Sequence, residues 1–311
     1  AAAAAAVGQP ACQGPQWVPI SDDGRPGLDD SVHAMVVFDD GSGAGPALYA
    51  GGFFTTADGV AAHHIARWDG DRWSPLGAGV SGAVYALAVF DDGLGDGPAL
   101  YAGGLFATAG GAPASRIARW DGRTWSPVGD GVSGSVSALC VFDDGSGSGP
   151  ALYAGGAFTT AGGVPALRIA RWDGRAWSAV GGGMDVDVSC LSVFDDGSGS
   201  GPALYAGGAF TTAGGVSAHR IARWDGSGWS ALGGGMIGSF DGVGALAVYD
   251  DGSGAGPALY AGGRFTAVGG VPANRIARWD GRGWSALGSG MNDTVLALTT
   301  FDVGDGAGPA L

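Results

Sequence analysis

Five pairs of aspartates, each followed by Gly-x-Gly, stand in glycine-rich stretches of this 311-residue chain: Asp39-Asp40, Asp91-Asp92, Asp143-Asp144, Asp195-Asp196 and Asp250-Asp251. Adjacent carboxylates in a flexible loop offer the several oxygens that Ca2+ requires. The spacing lacks the alternating acids and the distal Glu of an EF-hand loop. The preferred reading is therefore a hairpin turn whose solvated acids also keep strand edges apart. Ca2+ at these loops is the only cofactor the sequence raises. The histidines are His33, His63, His64 and His219. A metal pair at His63-His64 conflicts with strand geometry, because neighbours on a strand point to opposite faces. Lys and Glu are absent, so all 15 basic side chains are Arg and all 29 acids are Asp. This excludes a Lys nucleophile, a Schiff base, a catalytic Glu and any metal motif built on Glu. Gly41-Ser42-Gly43 lies in a repeated turn, outside the strand-to-helix context of a nucleophile elbow.

The elements that must position these residues repeat. The phrase Leu-Tyr-Ala-Gly-Gly, then Ile-Ala-Arg-Trp-Asp-Gly, then a second Trp recurs five times, with Trp68, Trp120, Trp172, Trp224 and Trp279 spaced by 52, 52, 52 and 55 residues. A period of this length indicates a stacked architecture. The 65 glycines and 15 prolines would suggest disorder without a period, but here they recur at fixed places and 46% of residues are hydrophobic. They read as turn residues in a packed protein. With Lys and Glu missing and Gly, Asp and Val abundant, helix is not expected.

Each unit holds four extended segments, here Val84 to Phe90, Ala99 to Gly104, Ile117 to Trp120 and Trp125 to Val128. The first is apolar on both faces, which suits a strand between neighbouring sheets. The fourth carries Pro75 and Pro127 in two copies, which places it at a sheet edge. Between the third and fourth, a two-residue Gly70-Asp71 turn pairs Trp68 with Trp73, and Gly at the first turn position suits type II′. Such a cross-strand aromatic pair contributes roughly 0.2–1 kcal/mol. The pair reads as a staple rather than as a sugar-stacking platform. The Arg of each Ile-Ala-Arg-Trp is expected to pair with a nearby Asp or to pack its stem.

Four strands in about 50 residues is the signature of a propeller blade. The Gly-Gly and the later Trp resemble kelch-type repeats, although no Tyr stands between them. The whole phrase more closely resembles the repeats of the fungal cortical cell-polarity marker family and of similar secreted bacterial proteins, from about Trp17 onward. That resemblance implies a β-propeller at a cell surface. Asp-Gly-x-x-Trp also resembles the sialidase Asp-box, but Asp69 is followed directly by Gly70 and the Ser position is Arg67. An Asp-box is structural in any case.

The fold class expected is all-β, a propeller of four-stranded antiparallel blades. Residues 1–11 form an N-terminal segment opening with six Ala, a signal-peptide tail, an artefact or residues whose identity was not established. Residues 12–311 form one domain of five repeats plus a sixth that is split between the termini or cut short at the C-terminus. Trp17 to Ile20 aligns with a fourth strand, Val7 to Cys12 is the only match for a third, Val295 to Phe301 is a first, and Gly308 to Leu311 begins a second. Closure of six blades by these strands removes an exposed sheet face. Cys140 and Cys190 share strand parity in adjacent blades, so they read as buried small hydrophobes rather than as a disulfide.

Net charge is −14, which disfavours nucleic acid, and no apolar run suggests a membrane span. The stretches before each Ile-Ala-Arg break the repeat. His63, His64, Arg116, Arg168, His219, Arg220, Asn274 and Arg275 stand there and mark the expected ligand face. Function is expected to be non-catalytic: a secreted or cell-surface module that binds or scaffolds a protein or glycan. The alternatives are an extracellular carbohydrate-active hydrolase or lyase, and a self-associating structural subunit of a surface layer or appendage.

Overall fold

The computed structural model describes residues 27–238, 242–300 and 310–311. These residues form an all-β propeller with five four-stranded antiparallel blades. Blade two shows the plan. Its strands Val84–Phe90, Ala99–Gly104, Ile117–Trp120 and Trp125–Pro127 pair in chain order, from inside to outside. The first strands of successive blades pack on one another and so line the axis. Val84, Ala86, Ala88 and Phe90 are buried while Tyr85, Leu87 and Val89 are half-buried, as expected of a strand between sheets. The outer strands end the sheets, which accommodates Pro75 and Pro127.

Contacts between blades explain most of the repeated phrase. The glycines ending each second strand are not turn residues. A Cβ on Gly103 would stand 2.5 Å from Val136 Cγ1 of blade three, so glycine there lets the next blade approach. Each Trp pair packs with ring centroids 5.3 to 5.5 Å apart. The second Trp also reaches backwards. Trp125 Nε1 donates to the Leu76 carbonyl at 3.1 Å, Trp177 to Val128 at 3.0 Å, Trp229 to Val180 at 3.2 Å and Trp284 to Leu232 at 3.2 Å. The staple thus holds two blades as well as one hairpin. Trp125, Trp177, Trp229 and Trp284 are all buried. Cys140 and Cys190 are free thiols packed against the successive interfaces of blades three to four and four to five.

One element is absent from the four-strand reading. Between the second and third strands each blade adds a small hairpin, Thr56–Ala57 with Val60–Ala61 in blade one. The chain entering the next blade bridges to that blade's hairpin, as Val80 does to Ala109. Two-residue strands are too short to show alternation, and only the turn pairs Asp58-Gly59 and Gly110-Gly111 signal them.

Val295 continues the ring. It lies over Gly262 as Val136 lies over Gly103, and its N–H donates to the Gly263 carbonyl at 3.3 Å. Among the described residues, the segment that it opens pairs into no strand. On blade one, Val32, Met35 and Val37 are 39, 62 and 64% exposed where Val84 is 0%. The face that a preceding blade would cover is therefore open among the described residues. Residues 7–12, Trp17 to Ile20, Phe301 and Gly308-Pro309, on which six-blade closure by the termini rests, lie outside them.

Candidate functional site

The repeated acids serve the scaffold. In blade two, Tyr101 Oη donates to Asp92 Oδ2 at 3.2 Å and Arg119 Nε lies 3.2 Å from the same oxygen. The set recurs as Tyr49, Asp40 and Arg67, as Tyr153, Asp144 and Arg171, and as Tyr205, Asp196 and Arg223. Burial alone would raise the Asp40 pKa. Hydrogen bonds from Ser42 and Tyr49, with Arg67 nearby, hold it below the usual carboxylate range. Burial first, and then Asp40 beside it, push the Tyr49 hydroxyl up to about 12. The second Asp of these four pairs is thus accounted for by its tyrosine and arginine. Among the described residues no cluster of three metal-ligating side chains occurs.

The Trp-Asp-Gly aspartate closes its own turn. Asp225 Oδ1 accepts the Gly228 and Ser227 N–H groups at 2.9 Å each and the Ser227 hydroxyl at 2.8 Å. The Gly228 N–H, then the Ser227 N–H and hydroxyl, hold that carboxyl at about 2. Asp69, Asp121, Asp173 and Asp280 are lowered in the same way. A carboxyl whose folded pKa is depressed stabilises the fold above its unfolded value of about 3.9 and stops doing so as pH falls through the folded value. The expected thermal midpoint is level from pH 7 to about 5 and falls steeply between about pH 4 and 2. Calorimetry over that range checks this, and a flat midpoint down to the lowest pH would refute it.

The eight expected ligand-face residues fall within one pair of positions per blade, which Ser115 and Leu167 complete in blades two and three, on the face opposite the Asp-Asp loops. Their backbone is unusual. Left-handed φ values occur at His63 (29°), His64 (70°), Arg116 (65°), Arg168 (65°), His219 (43°), Arg220 (75°) and Arg275 (64°). For a residue with a Cβ this costs about 1–2 kcal/mol. The half-buried member of each pair offsets that cost with two backbone bonds. Arg116 N donates to Phe106 O and its carbonyl accepts from Gly104 N, both at 3.0 Å, and the other four blades repeat this. Several side chains are also committed locally. Arg220 donates to the Met236 and Gly238 carbonyls at 2.7 and 3.2 Å, Arg168 Nε pairs with Asp187 at 3.0 Å, and Asn274 donates to the Ser289 carbonyl at 3.0 Å. His63 and His219 are exposed. Among the described residues no hydrogen bond or ion pair joins one blade's pair to another's.

Nearer the axis, on this same face, the structure assembles a group that sequence reasoning missed. His33 and Tyr85 begin the first strands of blades one and two, and Phe53 follows the second strand of blade one. Their ring centroids are 5.1 Å (His33–Phe53), 5.6 Å (His33–Tyr85) and 5.9 Å (Phe53–Tyr85) apart, all edge to face. Phe53 is 42% exposed, and Leu105, its counterpart in blade two, is 52% exposed. At the two matching positions blades three and four carry only Ser137, Ala157, Ser189 and Ala209, and blade five carries Gly244 and Arg264. One side of the channel mouth is thus walled by aromatic and aliphatic groups, and blades three and four line it with small ones. Comparing the repeats column by column is the signal that finds it.

No known protein family matches the chain, and no curated protein does. Among solved structures, a GH74 xyloglucanase from Xanthomonas campestris aligns at 20% identity and TM-score 0.48, over 84% of this chain and 39% of that one. The extracellular domain of a putative one-component system from B. thetaiotaomicron aligns at 12% identity and TM-score 0.24, over 82% of this chain and 35% of that one. The chain thus spans well under half of either structure's length.

Proposed function

We propose that this chain is the binding domain of an extracellular or cell-surface protein, that it docks a protein partner through the aromatic mouth of blades one and two, and that it catalyses no reaction. The observation that carries the reading is the group of exposed His33, Phe53 and Leu105 with half-buried Tyr85, at positions the repeat does not dictate. Clustered aromatic side chains present large apolar area at low entropic cost, and such groups anchor interfaces. The rings pack edge to face against one another, which suits a knob in a protein interface better than a flat platform for a sugar. The acids and arginines that catalysis would need are engaged by the scaffold in every turn and triad described. The likeness of the repeat to cell-polarity marker repeats supports a surface location.

The test replaces Phe53 by Ala and Tyr85 by Ser, the residues that blades three and four carry there. The fold is expected to persist. A photo-crosslinker at position 53 or 105, incubated with surface proteins of the source organism, is expected to capture a protein that one at position 157 does not. Retention of that protein by the double variant is expected to fall about tenfold or more, the scale of losing a hot spot. Reducing-end release from plant and microbial polysaccharides should stay at background. Turnover of any of them, or equal retention by the variant, would defeat the proposal.

A further inference from the structure

On the opposite face, an open cleft of about 600 Å³ lies between blades one and two. Its rim is Ser42 of blade one with Asp96, Pro98, Arg119, Asp121 and Arg123 of blade two. Gly122 seats the outer hairpin of blade two against the Asp40 carbonyl of blade one, which forms the floor. A smaller cavity of about 190 Å³ adjoins it, sharing Asp96 and Arg119 and adding Leu94 and Trp172. The volume falls within the range of about 300–1,000 Å³ usual for small-molecule sites.

The cleft sits where the repeat departs from itself. Six loops run from an Asp to Gly-Pro, and the residue two before the Pro is Ala44, Asp96, Ser148, Ser200, Ala255 or Ala307. Only blade two places an acid there. Only its loop carries Leu94, where blades one, three, four and five carry Ser. Both departures line the two cavities.

We infer that this cleft binds a neutral saccharide. Arg119 is pre-positioned, its Nε 3.2 Å from Asp92 and its Nη2 3.9 Å from Asp96, with only 14% of the side chain exposed. Asp96 is 77% exposed and presents its carboxylate outward. Arg123 adds a second guanidinium on the same rim. Fixed donors and fixed acceptors stand together, and a hydroxyl group is the ligand chemistry that serves both at once. The guanidinium fork suits two adjacent hydroxyl oxygens, and a carboxylate accepts from two adjacent hydroxyls. An anion would meet Asp96 and Asp121, and a cation would meet Arg119 and Arg123, so both are disfavoured. Pro98 and Leu94, the latter 53% exposed, supply apolar surface for the C–H faces of a sugar ring.

The test is titration calorimetry on the intact chain with methyl mannoside, methyl galactoside, cellobiose, maltose and chitobiose. Galacturonate and CaCl2 serve as charged probes. At least one neutral saccharide is expected to bind. Asp96→Ser and Arg123→Ser install residues that other blades carry, so the fold should tolerate them. Each is expected to weaken binding about tenfold, the scale of one lost charge-assisted contact. The Phe53→Ala, Tyr85→Ser variant is expected to bind the saccharide unchanged, which separates this site from the mouth. The inference is overturned by no neutral binding, by unchanged binding in both cleft variants, by loss of saccharide in the mouth variant alone, or by tighter binding of galacturonate or Ca2+.

Discussion

Gly156→Ala is expected to cost about 3 kcal/mol or more, because the added methyl overpacks a backbone contact that no side chain can relieve. A Cβ there would overlap the Ser135 carbonyl oxygen and stand 3.1 Å from Val136 Cα. Those atoms belong to the chain entering the paired inner strand of the same blade, so the second strand must move away from the first. That displacement would also disturb the Gly156 N–H bond to the Arg168 carbonyl at 2.9 Å. Gly93→Ala is the control. Gly93 has φ +69° and nothing within 4 Å of an added Cβ, so its cost is only that of a left-handed alanine, about 1–2 kcal/mol. Urea unfolding of the two variants compares them directly. Equal destabilisation would show that close approach is not what the second-strand glycines provide.

Trp229→Phe is expected to be more damaging than Trp224→Phe, although the two rings pack against each other in one hairpin, with centroids 5.3 Å apart and planes tilted by 46°. Both are buried, at 7 and 8% exposure, so ring truncation costs each a similar amount of apolar contact. The difference lies in the indole N–H. Trp229 Nε1 donates to the Val180 carbonyl of the preceding blade at 3.2 Å. Trp224 Nε1 is buried with no acceptor among the described residues. Phenylalanine at 229 removes one of the two hydrogen bonds to the Val180 carbonyl, which still accepts from the Gly183 N–H at 2.9 Å, while at 224 it removes an unpaired donor. The expected gap is about 1–3 kcal/mol, one hydrogen bond lost at 229 against one unpaired buried donor removed at 224. In a repeat fold, stability is close to a sum of units and nearest-neighbour interfaces, so the loss should appear mainly as weaker coupling of blades three and four. Equal midpoints in urea for the two variants would refute an inter-blade role for the second tryptophan.

Much of the blade is legible in the sequence because its determinants are local. The Trp68–Trp73 hairpin is set within six residues by Gly70 at φ 103° and by Asp69, whose carboxylate accepts the Asp71 and Arg72 N–H groups. The four strands follow from apolar pattern and turn punctuation. The pairing of Arg119 with Asp92 is foreseeable because the strand register brings the third strand beside the second. The small hairpin of each blade escapes the pattern because two residues cannot show a period. The role of the Gly-Gly step is hidden as well. Its reason lies in another strand and another blade, at Ser135 and Val136 for Gly156 and Gly103.

By itself the sequence determined the architecture: an all-β ring of repeated four-stranded blades, with Trp hairpins outside and apolar strands within. It could do so because the hairpins and the strand order are set within one unit, the apolar inner strands signal burial between units, and repetition states all of this five times. The tertiary structure alone decided which unrepeated side chains meet. His33, Phe53 and Tyr85 gather at one mouth, and Ser42, Asp96 and Arg123 line one cleft. They come from different blades, and their proximity arises from how one sheet stacks on the next. No period in the chain encodes it, because His33, Phe53, Tyr85 and Asp96 stand where the period fails.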